Sequence, residues 1–438
     1  MLYFLLAIGI LIFVHELGHF LVAKRSGIRV ERFSLGYPPR MIGFKWGETD
    51  YCLSWIPFGG YVKVAGMADV GAEEGTGADW EFPSKPLWIR MAVIAAGPAM
   101  NLLFAYMSFV FLFSAYGIET FDSTSIDPIE GSPAAIAGLR YGDVIVRVGK
   151  NEVANYRELK KYLIEAEGKP LTVDAKRDDQ VLSFDLPNIV ADPERVEATE
   201  LPYGLTLLFS TKVGVVREDM PAQAVGLQTG DEIITVGGIT VRNWDEMREQ
   251  ISQHPDDTIE IKWLRKGATF TAQITPQSRT VDEVIVGQIG IEPHMETVSV
   301  GFGEAVSLSA SSLINSTSLI LNFIGNISKG DRYKEIGGPI LIAKTAGDTA
   351  ERGLKAFIYF LAFLSVNLAV LNLLPIPALD GGHLFFLTLE AIMRRPLSVR
   401  KREFFQQIGL VLILGLMILV TFNDVNRLVI PFITKLFE

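Results

Sequence analysis

The chain has 438 residues, of which 49% are hydrophobic and 21% are charged. This composition is too apolar for an ordinary soluble protein, and the length allows more than one domain. The formal net charge of −10 argues against a nucleic-acid partner, because basic residues are not concentrated enough to follow a phosphate backbone. The single cysteine, Cys52, excludes an intrachain disulfide and a zinc site built from cysteines.

Residues 1–24 form an apolar stretch long enough to cross a bilayer as a helix. The stretch has no basic leader and no obvious cleavage site, so we interpret it as a retained span and not as a signal peptide. It contains the sequence His15-Glu16-Leu17-Gly18-His19. Because positions i and i+4 of a helix share a face, His15 and His19 can bind one Zn²⁺ with Glu16 beside it as a general base. Ionisable groups at membrane depth cost roughly 2.5–3.5 kcal/mol each, which favours a functional site over stray polar residues.

Residues 25–90 form a loop that carries Pro57-Phe58-Gly59-Gly60-Tyr61-Val62-Lys63. The alternating pattern with two glycines predicts a β-hairpin that turns at the glycines. A second apolar stretch, residues 91–118, predicts the next membrane helix. Gly97-Pro98 inside this stretch predicts a kink.

The region after the second span contains an internal repeat. Residues 132–143 align with residues 220–231 at an offset of 221 − 133 = 88, and the register holds without a gap as far as Leu186 and Ile274. Two tandem α+β domains are therefore predicted. Their Pro-Ala-x-x-Ala-Gly-Leu-x-x-Gly-Asp pattern resembles PDZ domains, which hold an extended peptide against a sheet edge. A pair of spacer domains without a ligand is the alternative interpretation.

Residues 295–353 mix apolar residues with Ser and Asn and predict one or two amphipathic helices on the outer membrane–water interface. A fifth membrane span is the alternative. Two further apolar stretches, residues 354–383 and 404–423, predict the third and fourth spans. Lys and Arg are concentrated in the loop before the second span and between the third and fourth spans, so both loops are expected in the cytosol and the repeats outside.

The third span ends in Asn372-Leu-Leu-Pro375-Ile-Pro377-Ala-Leu-Asp380-Gly-Gly. The prolines break the helix, so Asp380 is expected on irregular backbone near the cytosolic end of the span. A catalytic zinc has three protein ligands and an open position. Asp380 and His383 both lie at a depth similar to that of the first two histidines, and the residues alone leave them as competing candidates for the third ligand.

The first-span motif, the tandem repeats and the Asn-x-x-Pro-x-Pro-x-x-Asp-Gly motif together resemble the site-2 protease family over essentially the whole chain. The resemblance implies that Asp380 is the third zinc ligand, that Glu16 is the general base and that His383 lies near the site without binding the metal. It also implies a role for two further segments in substrate binding. These are Phe58, Gly59, Gly60 and Tyr61 in a membrane-re-entrant sheet, and Asn372 with Pro375 on the third span. A cytosolic hairpin and a helix cap at Asn372 are the respective alternatives.

The expected fold is a mainly α membrane protein with four transmembrane helices, a re-entrant β-hairpin and two tandem α+β PDZ-like domains outside. The expected segments are 1–24 (first span), 25–90 (cytosolic loop with the hairpin), 91–118 (second span), 119–200 and 201–294 (PDZ-like domains), 295–353 (interfacial segment), 354–383 (third span), 404–423 (fourth span) and 424–438 (tail).

The predicted activity is hydrolysis of peptide bonds within or near the membrane segment of single-span proteins, with Zn²⁺ as cofactor. By the resemblance, the partners are the lipid bilayer, an anti-sigma factor and remnant signal peptides, in a bacterial inner membrane with the PDZ-like domains in the periplasm. The resemblance further implies that these domains gate access. Two alternatives are a PDZ-bearing membrane scaffold and a metal transporter. The complete set of His15, Glu16, His19 and Asp380 argues against a degenerate site.

Overall fold

A computed structural model describes residues 2–66, 76–166, 169–178, 180–187, 200–281, 284–326, 336–395 and 399–430. The side chains of residues 57, 58, 200, 281, 399–403 and 428 lie outside this description. The described residues divide into two units, which are Met1–Gly117 with Ser299–Glu438, and Ile118–Val298. We refer to them as the membrane unit and the repeat unit.

The helices of the described residues are α1 (Leu2–Arg25), α2 (Leu87–Tyr116), α3 (Pro133–Ile136), α4 (Tyr156–Glu165), α5 (Pro221–Ala224), α6 (Trp244–Ser252), α7 (Phe302–Gly325), α8 (Pro339–Glu351), α9 (Leu354–Leu373), α10 (Asp380–Met393) and α11 (Val399–Asp424). The strands are β1 (Val30–Trp46), β2 (Thr49–Val64), β3 (Ile118–Phe121), β4 (Ser125–Pro128), β5 (Asp143–Val148), β6 (Asn151–Glu152), β7 (Leu171–Arg177), β8 (Gln180–Leu186), β9 (Glu200–Leu201), β10 (Leu205–Leu207), β11 (Val213–Val216), β12 (Glu232–Val236), β13 (Ile239–Thr240), β14 (Ile259–Arg265), β15 (Ala268–Ile274), β16 (Gln277–Val281), β17 (Val284–Gln288), β18 (Ile291–Pro293) and β19 (Met295–Val298).

Four of the described helices are long and apolar enough to cross a membrane: Leu2–Arg25, Leu87–Tyr116, Leu354–Leu373 and Phe404–Arg427. The last of these extends beyond α11 because a π-helical segment, Val425–Val429, continues that helix. The prediction of four apolar helices long enough to span a membrane is thereby confirmed. The prediction of a mainly α protein is not confirmed, because about 48% of the residues are helical and 28% are in strands. The strands come from the two repeats and from the long β1–β2 pair.

The third span is shorter than predicted. Helix α9 ends at Leu373, and the chain then runs without helix to Leu379 before α10 begins at Asp380. Pro375 and Pro377 explain the break, because proline has no backbone N–H to donate within a helix. Asp380 therefore lies in the first turn of a new helix, and not on irregular backbone as the sequence indicated.

Helix α7 is one continuous helix of 24 residues. Its Leu313, Ile320 and Ile324 pack in one apolar cluster with Phe109 of α2 and Val366 of α9. The helix is thus a packing partner of two spans. Its location at the membrane–water interface remains a prediction.

Strands β1 and β2 form a sheet of four segments, because both strands change partner along their length. Residues 60–64 pair with residues 30–35. Of these, residues 32–35 also pair with residues 50–53, which pair in turn with residues 42–45. The hairpin turn lies at Gly47 (φ +60) and not at Gly59-Gly60. The two glycines instead continue β2, whose residues 60–64 form an edge segment among the described residues. We call residues 60–64 the edge strand.

The repeat unit contains the same order of elements twice at the predicted spacing. Adding 88 to the bounds of β4, α3, β6, β7 and β8 gives the bounds of β11, α5, β13, β14 and β15. Each copy has its own apolar core, one around Ile145 and Leu159 and the other around Ile233 and Met247. The matching residues (145 + 88 = 233 and 159 + 88 = 247) show that the two cores use the same positions.

The duplication extends to buried charges. Arg177 donates two hydrogen bonds to Asp143, at 2.8 and 2.7 Å, and Arg265 donates two to Asp231, both at 2.7 Å. Each aspartate is 1% exposed. The bidentate bond to the carboxylate raises the pKa of each guanidinium further above its already high value. Each arginine also donates to the backbone oxygen of a glycine just after the short helix, Gly138 in one copy and Gly226 in the other, and so ties that helix to the sheet in the same way.

Candidate active site

Helix α1 presents two imidazoles on one face, as the i, i+4 spacing predicts. The Nε2 atoms of His15 and His19 lie 3.2 Å apart. The Nδ1 atom of His19 lies 2.8 Å from the backbone oxygen of Val93 on α2. Because a carbonyl oxygen only accepts, His19 carries its proton on Nδ1, and its Nε2 lone pair is free to bind a metal.

Asp380 completes a cluster of three ligand groups. Its Oδ2 atom lies 3.0 Å from His15 Nε2 and 3.6 Å from His19 Nε2. Oδ2 is buried and makes no hydrogen bond of acceptable geometry. Three ligand atoms thus lie close together although hydrogen bonds do not link all three. This arrangement is expected where a cation binds between them.

The cluster fits zinc. A tetrahedral site with bonds of about 2.0–2.1 Å places neighbouring ligand atoms about 3.3 Å apart, and the three observed separations run from 3.0 to 3.6 Å. Two neutral imidazoles and one carboxylate are also a ligand set that leaves a fourth position open. Among the described residues, this is the group of His, Cys, Asp and Glu side chains placed to hold a metal.

Two glycines bring Asp380 into position. A Cβ atom on Gly381 would lie 2.1 Å from the backbone oxygen of Leu374, and one on Gly382 would lie 2.4 Å from that of Ile376. Helix α10 therefore packs directly on the backbone of the break. Ala378 has a φ of +87, a conformation that costs free energy in a residue other than glycine. This backbone turns the chain so that α10 starts beside α1.

Glu16 borders the same cavity as the cluster. The cavity has a volume of about 390 Å³ and is bounded by α1, the edge strand, α2, α9 and α10. The Glu16 side chain lies against the backbone of Gly60 and Val62, and a Cβ on Gly60 would come within 3.0 Å of Glu16 Cγ. The candidate base, the metal ligands and a sheet edge therefore border one cavity.

Some of the other predicted site residues line this cavity and others do not. Asn372, Gly59, Gly60 and Tyr61 line the cavity, as does His383, which is outside the three-ligand cluster. Pro375 lies in the break between α9 and α10 and is not a lining residue. The Phe58 side chain lies outside the described residues. The remaining histidines, His254 and His294, belong to the repeat unit.

Helix α2 contributes residues that the sequence did not identify. Val93, Gly97 and Asn101 recur every four residues and face the two histidines. A Cβ on Gly97 would lie 2.3 Å from His19 Nε2, so Gly97 admits the imidazoles and is not simply the site of a kink. Asn101 is a lone amide in an apolar span. The free-energy cost of burying an amide at membrane depth was a signal that could have identified it.

Comparison with known proteins gives matches over the whole chain. The family model described as Peptidase family M50 matches residues 3–416. Regulator of sigma-E protease RseP of Escherichia coli is 32% identical over 460 residues, which cover 97% of this chain and 98% of that protein. A Neisseria meningitidis protein is 32% identical over 454 residues (98% and 99%), and its name includes the words zinc metalloprotease.

Among solved structures, the PDZ domain of the SdrC-like protein Lin2157 from Listeria innocua is 26% identical. The match covers 21% of this chain and 99% of that one, with a TM-score of 0.17.

Proposed function

The chain belongs to peptidase family M50 and is a zinc metalloprotease of the site-2 type, and from this we propose that it hydrolyses peptide bonds within or near the transmembrane segment of single-span proteins. The observation that carries the proposal is the convergence of His15, His19 and Asp380 beside Glu16. These groups line a cavity bounded in part by α1, α2 and α9, which are long and apolar enough to cross a membrane, and this setting suits a membrane-embedded substrate.

His15, His19 and Asp380 are the proposed zinc ligands. A zinc ion bound there would supply Lewis-acid chemistry and lower the pKa of a water molecule. The carboxylate oxygens of Glu16 accept the proton of the attacking water and later pass it to the leaving amine. Glu16 is free for this role because it is outside the metal cluster.

The edge strand is the proposed seat of the substrate backbone. A transmembrane helix hides its carbonyl groups in hydrogen bonds, so the substrate must unwind before hydrolysis. Residues 60–64 border the cavity and can pair with an extended segment by strand addition. Asn372, which lines the cavity near the end of α9, and Pro375, in the break that follows, are the proposed substrate contacts on the other chain segment.

The sheet is proposed to enter the membrane from the cytosolic side. Large apolar side chains are exposed along its outer segments, namely Ile42, Phe44, Trp46, Trp55 and Ile56. A soluble loop would leave this apolar surface in water at a substantial free-energy cost, whereas a bilayer accommodates it. The pattern favours a re-entrant sheet over a cytosolic hairpin.

The two repeats are proposed as PDZ-like gates that restrict access to substrates already trimmed on the outer side. Several relatives are named as regulators of sigma-E. By analogy, the substrates include an anti-sigma factor and remnant signal peptides in regulated intramembrane proteolysis. The enzyme would lie in a bacterial inner membrane with the repeats in the periplasm.

The test compares the wild type with Glu16→Gln, both purified in detergent. Each is assayed for bound zinc and incubated with a model single-span substrate. Glutamine keeps the size of the side chain but cannot accept a proton, so both proteins are expected to hold about one zinc while only the wild type cleaves. Cleavage by Glu16→Gln at the wild-type rate would refute the role of Glu16. Zinc binding without any cleavage by the wild type would instead favour a scaffold or a transporter.

A further inference from the structure

Asn101 is a fully buried amide next to a proposed metal ligand. Its side chain is 0% exposed, and its Nδ2 atom lies 3.3 Å from Nδ1 of His15. Its Oδ1 atom is buried and has no hydrogen-bond partner among the described residues. A buried amide in an apolar helix is costly, so a specific interaction is needed to account for it.

The orientation of the amide decides which nitrogen of His15 is protonated. An Nδ2–H group facing His15 can only donate to Nδ1, which would move the imidazole proton to Nε2 and block its lone pair. The oxygen and nitrogen of an amide have nearly the same shape, and a half-turn exchanges them. With Oδ1 facing His15, the imidazole donates from Nδ1 and keeps Nε2 unprotonated.

The contacts of His15 Nε2 select between these orientations. That atom lies within 3.2 Å of His19 Nε2 and 3.0 Å of Asp380 Oδ2, in the centre of the ligand cluster. It can bind a metal there only when it carries no proton. We infer that Asn101 is a positioning residue, which accepts the Nδ1 proton of His15 through Oδ1 and so fixes the imidazole as a metal ligand.

Helix α2 then supplies a matching acceptor for each histidine. His19 donates to the backbone oxygen of Val93, and His15 donates to the side chain of Asn101, two turns further along the helix. The backbone at Asn101 is itself held, since Ser365 Oγ of α9 donates to its carbonyl oxygen at 2.9 Å. Partners of this kind orient ligating histidines and typically contribute about 10–100-fold to metal affinity.

The inference rests on the proposed metal centre, so its test must separate the two. The full-length chain is purified in detergent, and the zinc dissociation constant is measured by competition with a chelator. Asn101→Leu removes the acceptor and is expected to weaken zinc binding about 10–100-fold. Asn101→Asp keeps an oxygen acceptor and is expected to bind zinc nearly as tightly as the wild type.

Asn367→Leu is the matched control, because the Asn367 amide donates to the backbone oxygen of Phe363 in its own helix. It is expected to leave zinc affinity unchanged. Wild-type affinity in Asn101→Leu, or equal weakening in Asn101→Asp, would overturn the inference. If His15→Ala also binds zinc normally, the proposed metal centre fails as well; if His15→Ala loses zinc, only the role of Asn101 fails.

A second measurement does not depend on any variant folding. Nitrogen-15 NMR of histidine-labelled, zinc-loaded wild type shows which imidazole nitrogen carries the proton and which one binds the metal. His15 is expected to be protonated on Nδ1 and not on Nε2. The opposite tautomer would overturn the inference.

Discussion

Gly97 shows how one missing side chain shapes the metal centre. The two imidazoles occupy the space that a Cβ at this position would fill, since His19 Nε2 would lie 2.3 Å and His15 Cε1 2.8 Å from it. Contacts this short cannot be relieved without moving a ligand or separating the helices. The requirement is steric, because Gly97 lies within a helix and has no special φ.

Gly97→Ala is therefore expected to lower zinc affinity and proteolysis by at least about tenfold, because a ligand displaced by about 1 Å no longer fits the metal. Chelator competition and cleavage of a single-span substrate measure the two effects. Gly9→Ala is the control on α1, where a Cβ would meet nothing within 4 Å. Equal losses in both variants would show that helix flexibility and not space is the cause.

At the scale of elements, a buried carboxylate joins two distant segments of the membrane unit. Asp424, at the end of α11, is 2% exposed and accepts hydrogen bonds from the backbone N–H groups of Gly338, Ile340 and Leu341, each at 2.9 Å. These groups belong to the start of α8, which has no partners for them within its own helix. A carboxylate also complements the positive end of the helix dipole.

Asp424→Ala is expected to destabilise the chain, because each buried N–H left without a partner costs about 1–3 kcal/mol. Asp424→Asn keeps an acceptor oxygen and is expected to lose less. Thermal unfolding in detergent, followed by circular dichroism, compares the three proteins. Identical midpoints for the alanine variant and the wild type would mean that water replaces the carboxylate.

The elements also show where prediction from the sequence ended. The four spans, the helical spacing of His15 and His19 and the 88-residue repeat depend on local patterns, and the sequence predicted them. The role of Gly97 and Asn101 depends on which side of α2 meets α1. That helix is apolar on all sides, so its periodicity identifies no face. The sequence predicted a hairpin turn at Gly59-Gly60, where the chain instead continues as the edge strand. Local patterns could not identify this, because the edge strand pairs with residues 30–35, far away in the sequence.

At the scale of the repeat unit, a tyrosine joins the two copies. The Tyr141 hydroxyl donates to Glu246 Oε1 at 2.5 Å and accepts from the Asn243 side chain, and Arg242 lies over the ring at 5.5 Å. Burial raises the pKa of Tyr141, and the hydrogen bond to Glu246 raises it further. Burial also raises the pKa of Glu246, but hydrogen bonds from Tyr141 and Arg242 outweigh it and lower that pKa.

Tyr141→Phe is expected to weaken this contact by about 0.5–1.5 kcal/mol, because one hydrogen bond is lost. Amide hydrogen exchange of the full chain should accelerate at the start of α6. Tyr156→Phe is the control, since the Tyr156 hydroxyl is buried and has no hydrogen-bond partner among the described residues. Unchanged exchange in Tyr141→Phe would show that other contacts hold the copies together.

The Tyr141 contact is made by only one of the two copies, although the copies share the same fold. Asn243 and Glu246 have counterparts in Asn155 and Glu158, which form the same helix cap (155 + 88 = 243 and 158 + 88 = 246). The position equivalent to Tyr141 is Thr229 (141 + 88 = 229), whose hydroxyl donates to Gly214 within its own copy. The second copy therefore has no tyrosine to offer to a further α-helix cap. A contact of this kind continues along a tandem array only if every copy carries the tyrosine, so here it links the first copy to the second and stops there.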